Sequence, residues 1–244
     1  MSIITISGLT KVYDGNTIEV KALCGIDLAI GRGEFTAIAG PSGSGKTTLL
    51  NLIGGLDHPT GGVLTVAGSD LNRMTPRELS DIRLNKIGFI FQAYNLIPVL
   101  SAVENVEYIL LLQGVSREER RDRSRRILEE VGLGKEINRL PKEMSGGQQQ
   151  RVAVARAIVS EPELVLADEP TANLDQKTGS SLLDLMHDLN HQKNITFLFS
   201  THDQMVMDYA ERLIRLSDGM IISDEKKKSA RESSVKKAKA KKKK

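Results

Sequence analysis

The chain has 244 residues, of which 40% are hydrophobic and 27% are charged, a composition typical of a folded globular protein. The absence of tryptophan and the scarcity of other aromatic residues argue against a stacking surface for single-stranded nucleic acid. A single cysteine, Cys24, excludes an internal disulfide framework, suits a reducing compartment and is expected to be a small packed side chain. The first residues lack the features of a secretory signal and no 18 apolar residues run together, so neither a leader nor a membrane span is expected.

Charge is distributed unevenly along the chain. The formal net charge is +3, but residues 226–244 carry 11 lysine or arginine residues and a single acid, Glu232. The other 225 residues carry 23 basic and 30 acidic side chains, a net charge of −7. A segment with almost no apolar residue cannot offset the entropy cost of ordering, so residues 226–244 are expected to form a disordered, lysine-rich tail after a folded body of residues 1–225. Such a tail would bind polyanions, including anionic lipid headgroups, in a salt-dependent way; a solvated end without a partner is the alternative.

Strand and helix patterns alternate along most of the chain, which is typical of an α/β domain with a largely parallel sheet. The opening segments, residues 3–7 and 20–30 together with residues 63–67, are typical of antiparallel strands beside that sheet. Short apolar segments predict its buried strands at residues 35–39, 87–91, 164–167, 196–200 and 212–216. Strand character disappears between Val99 and Ser160, where helical periodicity predicts an inserted α-helical subdomain over about residues 95–160.

One helix predicted in this block carries a run of charges. Residues 117–126 mix arginines with acids at helical spacing, and apolar residues follow at Ile127, Leu128 and Val131. A solvated helix face explains this alternation of signs better than a nucleic-acid-binding patch does.

The most specific motif lies at residues 40–47, which read Gly-Pro-Ser-Gly-Ser-Gly-Lys-Thr and fit G-x-x-x-x-G-K-[ST]. Glycine tolerates positive φ and has no side chain, so such a loop can turn its N–H groups inward around a phosphate chain. A helix predicted to begin near Lys46 directs its positive end at the same anion. We expect Lys46 to bridge the β- and γ-phosphates of a nucleoside triphosphate, and the Thr47 hydroxyl to bind Mg²⁺. The predicted contacts are Gly40, Pro41, Ser42, Gly43, Ser44, Gly45, Lys46, Thr47 and Thr48.

Two acids end a predicted buried strand further along the chain. Residues 164–169 read Leu-Val-Leu-Ala-Asp-Glu, so Asp168 and Glu169 fall at the carboxyl end of that strand. A carboxylate at that position, facing a phosphate loop, can hold Mg²⁺ through its water shell, which is the predicted role of Asp168. Glu169 is then suited to polarise the attacking water as a general base.

A third motif, Ser145-Gly146-Gly147-Gln148, opens a predicted helix between the other two. A hydroxyl, bare backbone N–H groups and a helix N-terminus together form a second anion site. By itself the motif is as well explained by a helix cap. One bound nucleotide needs only one phosphate-binding loop. We therefore expect this second anion site to contact a nucleotide that another copy of the chain binds.

These three motifs resemble those of the nucleotide-binding cassettes of ABC transporters, and the resemblance covers about residues 2–223. It implies a P-loop NTPase core with a mainly parallel sheet, an antiparallel β subdomain at the N-terminus and the inserted helical subdomain. It also implies ATP and Mg²⁺ as cofactors, hydrolysis of ATP, and two copies that close head to tail around two ATP molecules. Ser145–Gln148 would be the signature that reaches the partner's γ-phosphate.

The resemblance assigns roles to four further positions. Tyr13 matches the aromatic residue that stacks on adenine, and Gln92 matches the glutamine that contacts Mg²⁺ and water and senses the membrane partner. Asp175 lies in a loop that communicates across the dimer, and His202 matches a histidine that contacts the γ-phosphate. The implied catalytic residues are Glu169, His202 and Lys46, and the implied metal ligands are Thr47, Gln92 and Asp168.

Within this family, residues 19–23, 91–98 and 167–175 look like the ATPases of lipoprotein-release and macrolide-export systems. The resemblance therefore implies a separate integral membrane permease and a position at the cytoplasmic face of the inner membrane. Two other functions stay open. One is an ATPase that regulates a cell-envelope partner without transporting anything. The other is an ATPase of a soluble machine acting on nucleic acid or ribosomes, which only the basic tail supports.

Overall fold

The computed structural model describes residues 1–14 and 19–227, and its strands form two sheets. The strands are β1 (Ser2–Asp14), β2 (Glu19–Gly31), β3 (Phe35–Ala39), β4 (Gly61–Val66), β5 (Ser69–Asp70), β6 (Ile87–Ile90), β7 (Leu164–Asp168), β8 (Thr196–Thr201), β9 (Arg212–Ser217) and β10 (Met220–Lys226). The helices are α1 (Lys46–Ile53), α2 (Pro76–Lys86), α3 (Ala102–Leu112), α4 (Arg117–Glu130), α5 (Gly146–Ile158), α6 (Gln176–Lys193) and α7 (Gln204–Tyr209).

The larger sheet forms the centre of the molecule, with strand order β10-β9-β3-β8-β7-β6. The pairs β9–β3, β3–β8, β8–β7 and β7–β6 are parallel, and β10 joins the edge antiparallel to β9. Every residue of β3 and of β8 is buried, because both faces of a parallel sheet are covered by other elements. Unbroken apolar segments therefore predicted these strands correctly.

The smaller sheet is antiparallel, with strand order β2-β1-β4-β5. Along β1, Ile4 and Ile6 are buried while Thr5 and Ser7 are exposed, as expected when one face of a sheet packs on a core. The predicted α/β fold with an antiparallel N-terminal sheet is thus confirmed. The expectation for Cys24 is wrong: it lies on β2 next to buried Leu23, and the alternation along that strand leaves it exposed.

Helices α3, α4 and α5 lie between β6 and β7, and residues 91–163 contain no strand. Capping boxes fix two of the helix starts: Ser101 pairs with Glu104 at α3, and Ser145 pairs with Gln148 at α5. The apolar faces of the three helices share one core cluster that includes Val106. No helix of the described residues combines the length and the apolar character that crossing a bilayer requires.

The lysine-rich segment predicted from residue 226 onward falls almost entirely outside the described residues. Lys226 ends β10, where it pairs with Arg212 in the antiparallel register. The Lys227 N–H donates to the Glu211 carbonyl oxygen at 2.7 Å, and its ammonium donates to the Met207 carbonyl oxygen. These two residues belong to the folded body because their backbone or side chain is hydrogen-bonded to it.

Replacement of Leu198 by alanine is expected to lower the free energy of unfolding by about 2–5 kcal/mol, since Leu198 is fully buried in central strand β8. Urea unfolding of the isolated chain measures the change. Leu111→Ala is the matched control: Leu111 is 49% exposed on α3, and its loss should cost less than about 0.5 kcal/mol. Equal losses for the two variants would contradict the central position of β8.

Candidate nucleotide-binding site

The loop between β3 and α1 contains glycines at positions where a side chain would be strained or would clash. Gly43 and Gly45 have φ values of 81° and 102°, in the left-handed region that side chains disfavour. A Cβ on Gly40 would lie 2.1 Å from the Leu216 carbonyl oxygen. The loop therefore packs its backbone directly against the end of β9.

Lys46 begins α1 and is only 8% exposed. Its ammonium donates to the carbonyl oxygens of Gly40 at 2.7 Å and Pro41 at 2.9 Å, so it is held within the curve of the loop. Gly45 precedes the helix and offers no side chain to cap it. The first N–H groups of α1 are consequently available to an anion, with the helix dipole and the lysine charge favouring it.

An oxygen-rich cluster lies where α1 meets the carboxyl end of β7. The Thr47 hydroxyl is 3.3 Å from the nearer carboxylate oxygen of Asp168, which pairs with Ser200 of β8. A hydroxyl next to a carboxylate is a donor set suited to Mg²⁺, which prefers oxygen ligands and keeps several of its waters. The residues present therefore fit the predicted metal ion.

Glu169 occupies a strained position beside this cluster. Its φ of 47° is unusual for a residue with a side chain, and its N–H is tied to the Ser200 carbonyl oxygen at 2.9 Å. One carboxylate oxygen accepts from the Thr201 hydroxyl at 3.2 Å, and the other lies 2.6 Å from His202 Nδ1. The turn thus places the Glu169 carboxylate next to the His202 imidazole, just after the ends of the neighbouring strands β7 and β8.

Tyr13 lies within β1, and 40% of it is exposed. Its hydroxyl donates to an Asp57 carboxylate oxygen at 2.8 Å, and the Lys11 ammonium lies 4.6 Å from its ring centre while pairing with Asp57 at 2.7 Å. Burial and the neighbouring Asp57 raise the pKa of Tyr13, despite an opposing hydrogen bond with Thr48. Burial opposes ionisation of Asp57, but hydrogen bonds from Lys11, Tyr13 and the His58 N–H outweigh it and lower the pKa of Asp57.

Asp57 and Lys11 are residues that sequence reasoning missed. They hold the ring of Tyr13 in place next to the helix that carries Thr48. Asp57 lies more than forty positions from Tyr13 and belongs to no recognisable motif, so only the folded chain reveals the contact.

Ser145–Gln148 form a second group with the segment around Asp175. The Ser145 hydroxyl accepts from the Gln148 N–H at 3.3 Å, and the Gln148 side chain accepts from the Ser145 N–H at 3.0 Å. A Cβ on Gly147 would lie 2.4 Å from the Thr178 methyl carbon. Asp175 caps α6, and its hydrogen bonds from the Thr178 hydroxyl and N–H lower its pKa. Helices α5 and α6 are therefore in close contact at their N-terminal ends.

Gln92 follows β6 and is connected to this second group through its backbone. The Asn173 side-chain amide donates to the Gln92 carbonyl oxygen at 2.8 Å. Just beyond, Arg156 of α5 donates to the carbonyl oxygens of Tyr94 and Asn95. These contacts join the segment after β6 to both α5 and the loop before α6.

The predicted site residues thus fall into two groups within one chain. Tyr13, Gly40–Thr48, Asp168, Glu169 and His202 surround the loop after β3, whereas Asp175 and Ser145–Gln148 lie together at the N-terminal ends of α5 and α6. The backbone of Gln92 is connected to the loop before α6 through Asn173. Among residues 1–14 and 19–227, no hydrogen bond joins Ser145–Gln148 to the phosphate loop. Within the described part of one chain, hydrogen bonds therefore do not connect the two groups.

Comparison with known proteins defines the class. A family model described as "ABC transporter" matches residues 23–172. An uncharacterized ABC transporter ATP-binding protein from Thermotoga maritima is 46% identical over 211 residues, covering 86% of this chain and 90% of the relative. The ATP-binding cassette MJ0796, solved as a dimer in a post-hydrolysis state with ADP and Pi, superposes with a TM-score of 0.86 at 43% identity, covering 93% of this chain and 99% of that one. The chain belongs to the ABC transporter family, as an ATP-binding and ATP-hydrolysing cassette.

Two other relatives carry more specific names. The lipoprotein-releasing system ATP-binding protein LolD of Legionella pneumophila is 42% identical over 223 residues, covering 91% of this chain and 98% of the relative. The macrolide export ATP-binding/permease protein MacB of Hyphomonas neptunium is 46% identical over 222 residues, covering 91% of this chain. The present chain spans only about a third (34%) of that MacB protein.

Gly147→Ala is expected to push α5 away from α6 and to cost about 1–3 kcal/mol of stability, because the new Cβ overlaps the Thr178 methyl group. ATP hydrolysis should fall with it. Combining Gly147→Ala with Thr178→Ser removes the methyl group but keeps a hydroxyl for Asp175, so the double variant should recover part of both losses. Chemical denaturation and ATPase assays on the two single variants and the double variant measure the coupling. Additive losses would refute the contact.

Proposed function

We propose that two copies of this chain close head to tail around two ATP molecules, and that hydrolysis drives a separate membrane-spanning partner in export or in substrate extraction. The main support for the dimer is that the two proposed anion sites, the phosphate loop and Ser145–Gln148, are separate within one chain. Ser145–Gln148 lie with α6 and make no hydrogen bond to the phosphate loop among the described residues. A second copy can supply the missing half, and the similar cassette MJ0796 has been solved as a dimer.

Within each ATP site shared by two copies, different residues of the chain have different proposed roles. Tyr13 stacks on adenine, the backbone of Gly40–Thr48 wraps the phosphates, and Lys46 neutralises charge on the β- and γ-phosphates. Thr47, Asp168 and Gln92 would hold Mg²⁺, which would supply positive charge to the phosphate oxygens. The donor set at Thr47 and Asp168, 3.3 Å apart, supports this assignment.

Glu169 is the proposed general base. Its strained backbone and its contacts with Thr201 and His202 fix the carboxylate at the sheet edge, where it can orient water in line with the γ-phosphate. His202 and Lys46 stabilise the charge on the transferred phosphoryl group, and Ser145 of the other copy reaches the same group. Loss of the γ-phosphate then weakens the closed dimer and reopens it.

Glu169→Gln is expected to reduce ATP turnover by about 10²–10⁴-fold, because an amide cannot accept the proton of the attacking water. The same variant should accumulate as an ATP-bound dimer, measured by size-exclusion chromatography with light scattering. Glu163→Gln is the matched control: Glu163 pairs with Arg32 and Lys86 away from this cluster, so turnover should stay near that of the parent. Near-normal hydrolysis by Glu169→Gln would refute the assignment.

An apolar cavity of about 460 Å³ supports docking of a membrane partner. It lies between α2, β6 and α3, and its lining includes Phe89, Phe91, Tyr108 and Leu112. Phe91 is directly adjacent to Gln92, and Arg156 binds the Asn95 carbonyl oxygen at its rim. A helix of a permease inserted here would therefore press on the segment that leads to the nucleotide. Large exposed apolar surfaces of this kind mark interaction sites.

The proposed partner is a permease carried on another chain at the cytoplasmic face of the inner membrane. In the MacB relative, whose name joins an ATP-binding protein with a permease, the matched part is 34% of the protein. In the LolD relative, named as an ATP-binding protein of a lipoprotein-releasing system, the match extends over 98%. The second relative supports the proposal of a membrane component on a separate chain. The lysine-rich segment of residues 228–244 is proposed to assist by binding anionic lipid headgroups.

Leu112→Glu is expected to abolish co-purification of the membrane partner from detergent extracts while leaving ATP hydrolysis by the isolated chain within about twofold, because a charge in the cavity opposes insertion of an apolar side chain. Leu111→Glu is the matched control, since Leu111 is equally exposed on α3 but does not line the cavity. Quantitative mass spectrometry of the co-purified proteins measures the effect. Equal recovery with both variants would contradict docking at this cavity, and recovery of ribosomes or DNA in place of a membrane protein would overturn the proposed function.

A further inference from the structure

Two histidines and a glutamate lie close together outside the proposed nucleotide site. His187 and His191 are four positions apart on α6, so they lie on one face of the helix, and Glu211 directly precedes β9. Their potential ligand atoms all lie within 4.8 Å of one another. The nucleotide chemistry described above uses none of the three.

The separations between these atoms match the size of a metal ion. The two Nε2 atoms are 3.3 Å apart, and one Glu211 carboxylate oxygen lies 3.6 Å from His187 Nε2 and 3.9 Å from His191 Nε2. From these separations, the circle through the three atoms has a radius of about 2.1 Å, within the Zn–N and Zn–O bond lengths of about 2.0–2.2 Å. An ion at its centre would bind all three atoms at once.

A hydrogen-bonded cluster explains the same geometry less completely. One imidazole can donate to the other across 3.3 Å, with their rings in an edge-on contact. The carboxylate distances of 3.6 and 3.9 Å are too long for hydrogen bonds, so without a cation Glu211 contacts the two Nε2 atoms only as a long ion pair with a protonated imidazole. A bound cation accounts for the convergence of all three groups.

Rigid elements hold the three side chains. The ring of His187 packs edge-on against buried Phe35, with 5.2 Å between ring centres. The Glu211 backbone is fixed on both sides, since its N–H donates to the Phe35 carbonyl oxygen and its carbonyl oxygen accepts from the Lys227 N–H. Asn190 anchors the end of α6 by donating to the carbonyl oxygens of Gly33 and Ile195. Such preorganisation lowers the cost of assembling a metal site.

We propose that His187, His191 and Glu211 form a Zn²⁺-binding site. Two imidazoles and one carboxylate form a ligand set that suits zinc and leaves a coordination position open to water. The ion would join α6 to the start of β9 and so close a loop that contains α7 and His202. It would thereby limit movement of that segment relative to the sheet.

Titration of the tag-free full-length chain with Zn²⁺ alone, by isothermal titration calorimetry in a non-chelating buffer, tests the proposal. One ion per chain is expected, with a rise in Tm on saturation, and Co²⁺ should give visible absorption bands typical of low-coordinate imidazole ligation. His191→Ala and Glu211→Gln should each weaken binding by at least about tenfold. His191 is half exposed and glutamine is nearly isosteric with glutamate, so both variants are expected to fold, which circular dichroism checks.

Matched controls separate this site from the cysteine and from the two other histidines. Cys24→Ser, His58→Ala and His202→Ala remove those groups and should leave the affinity and the stoichiometry unchanged. The proposal is overturned if the parent chain binds no Zn²⁺, or if either His191→Ala or Glu211→Gln binds Zn²⁺ as tightly as the parent chain does.

Discussion

Parallel pairing of β8 with β3 on one side and β7 on the other holds together the residues of the proposed nucleotide site. Since all three strands end at the same edge, the loop after β3, the acids at the end of β7 and the histidine after β8 meet there. In this register Asp168 pairs with Ser200 of β8. The N–H of the next residue, Glu169, donates a hydrogen bond to the Ser200 carbonyl oxygen of the same strand. A shift of one residue in this register would move the carboxylates away from Thr47.

The same architecture keeps residues 145–148 apart from the phosphate loop of their own chain, which is the basis of the proposed shared site. The signature residues 145–148 are packed against α6 rather than against the phosphate loop of their own chain. Between them and the apolar cavity lies the segment after β6, which Asn173 binds at Gln92 and Arg156 binds at Tyr94 and Asn95. If a partner docks in the cavity as proposed, direct contacts connect it to both residues 145–148 and Gln92.

Sequence patterns predicted the parts of the molecule that local chemistry determines. The glycines of residues 40–45 require a loop because of their backbone freedom, and buried apolar segments specify the strands that end at Asp168 and before His202. Contacts between residues far apart in the chain could not be predicted in this way, because no local sequence pattern marks them. The Asp57 carboxylate that holds Tyr13 and the glutamate beside the two histidines of α6 come from distant positions, and only folding brings them together.

The central claim is that each ATP site is shared between two copies, and mixing two inactive variants tests it most directly. Lys46→Met disables the phosphate loop and Ser145→Arg disables the signature, so each variant alone should hydrolyse almost no ATP. In a mixed dimer one site combines both defects, whereas the other combines the intact loop of one copy with the intact signature of the other. We predict that the mixture hydrolyses ATP well above the sum of the separate variants, with a maximum near equal amounts. A mixture that gives only that sum at every ratio would contradict the shared site.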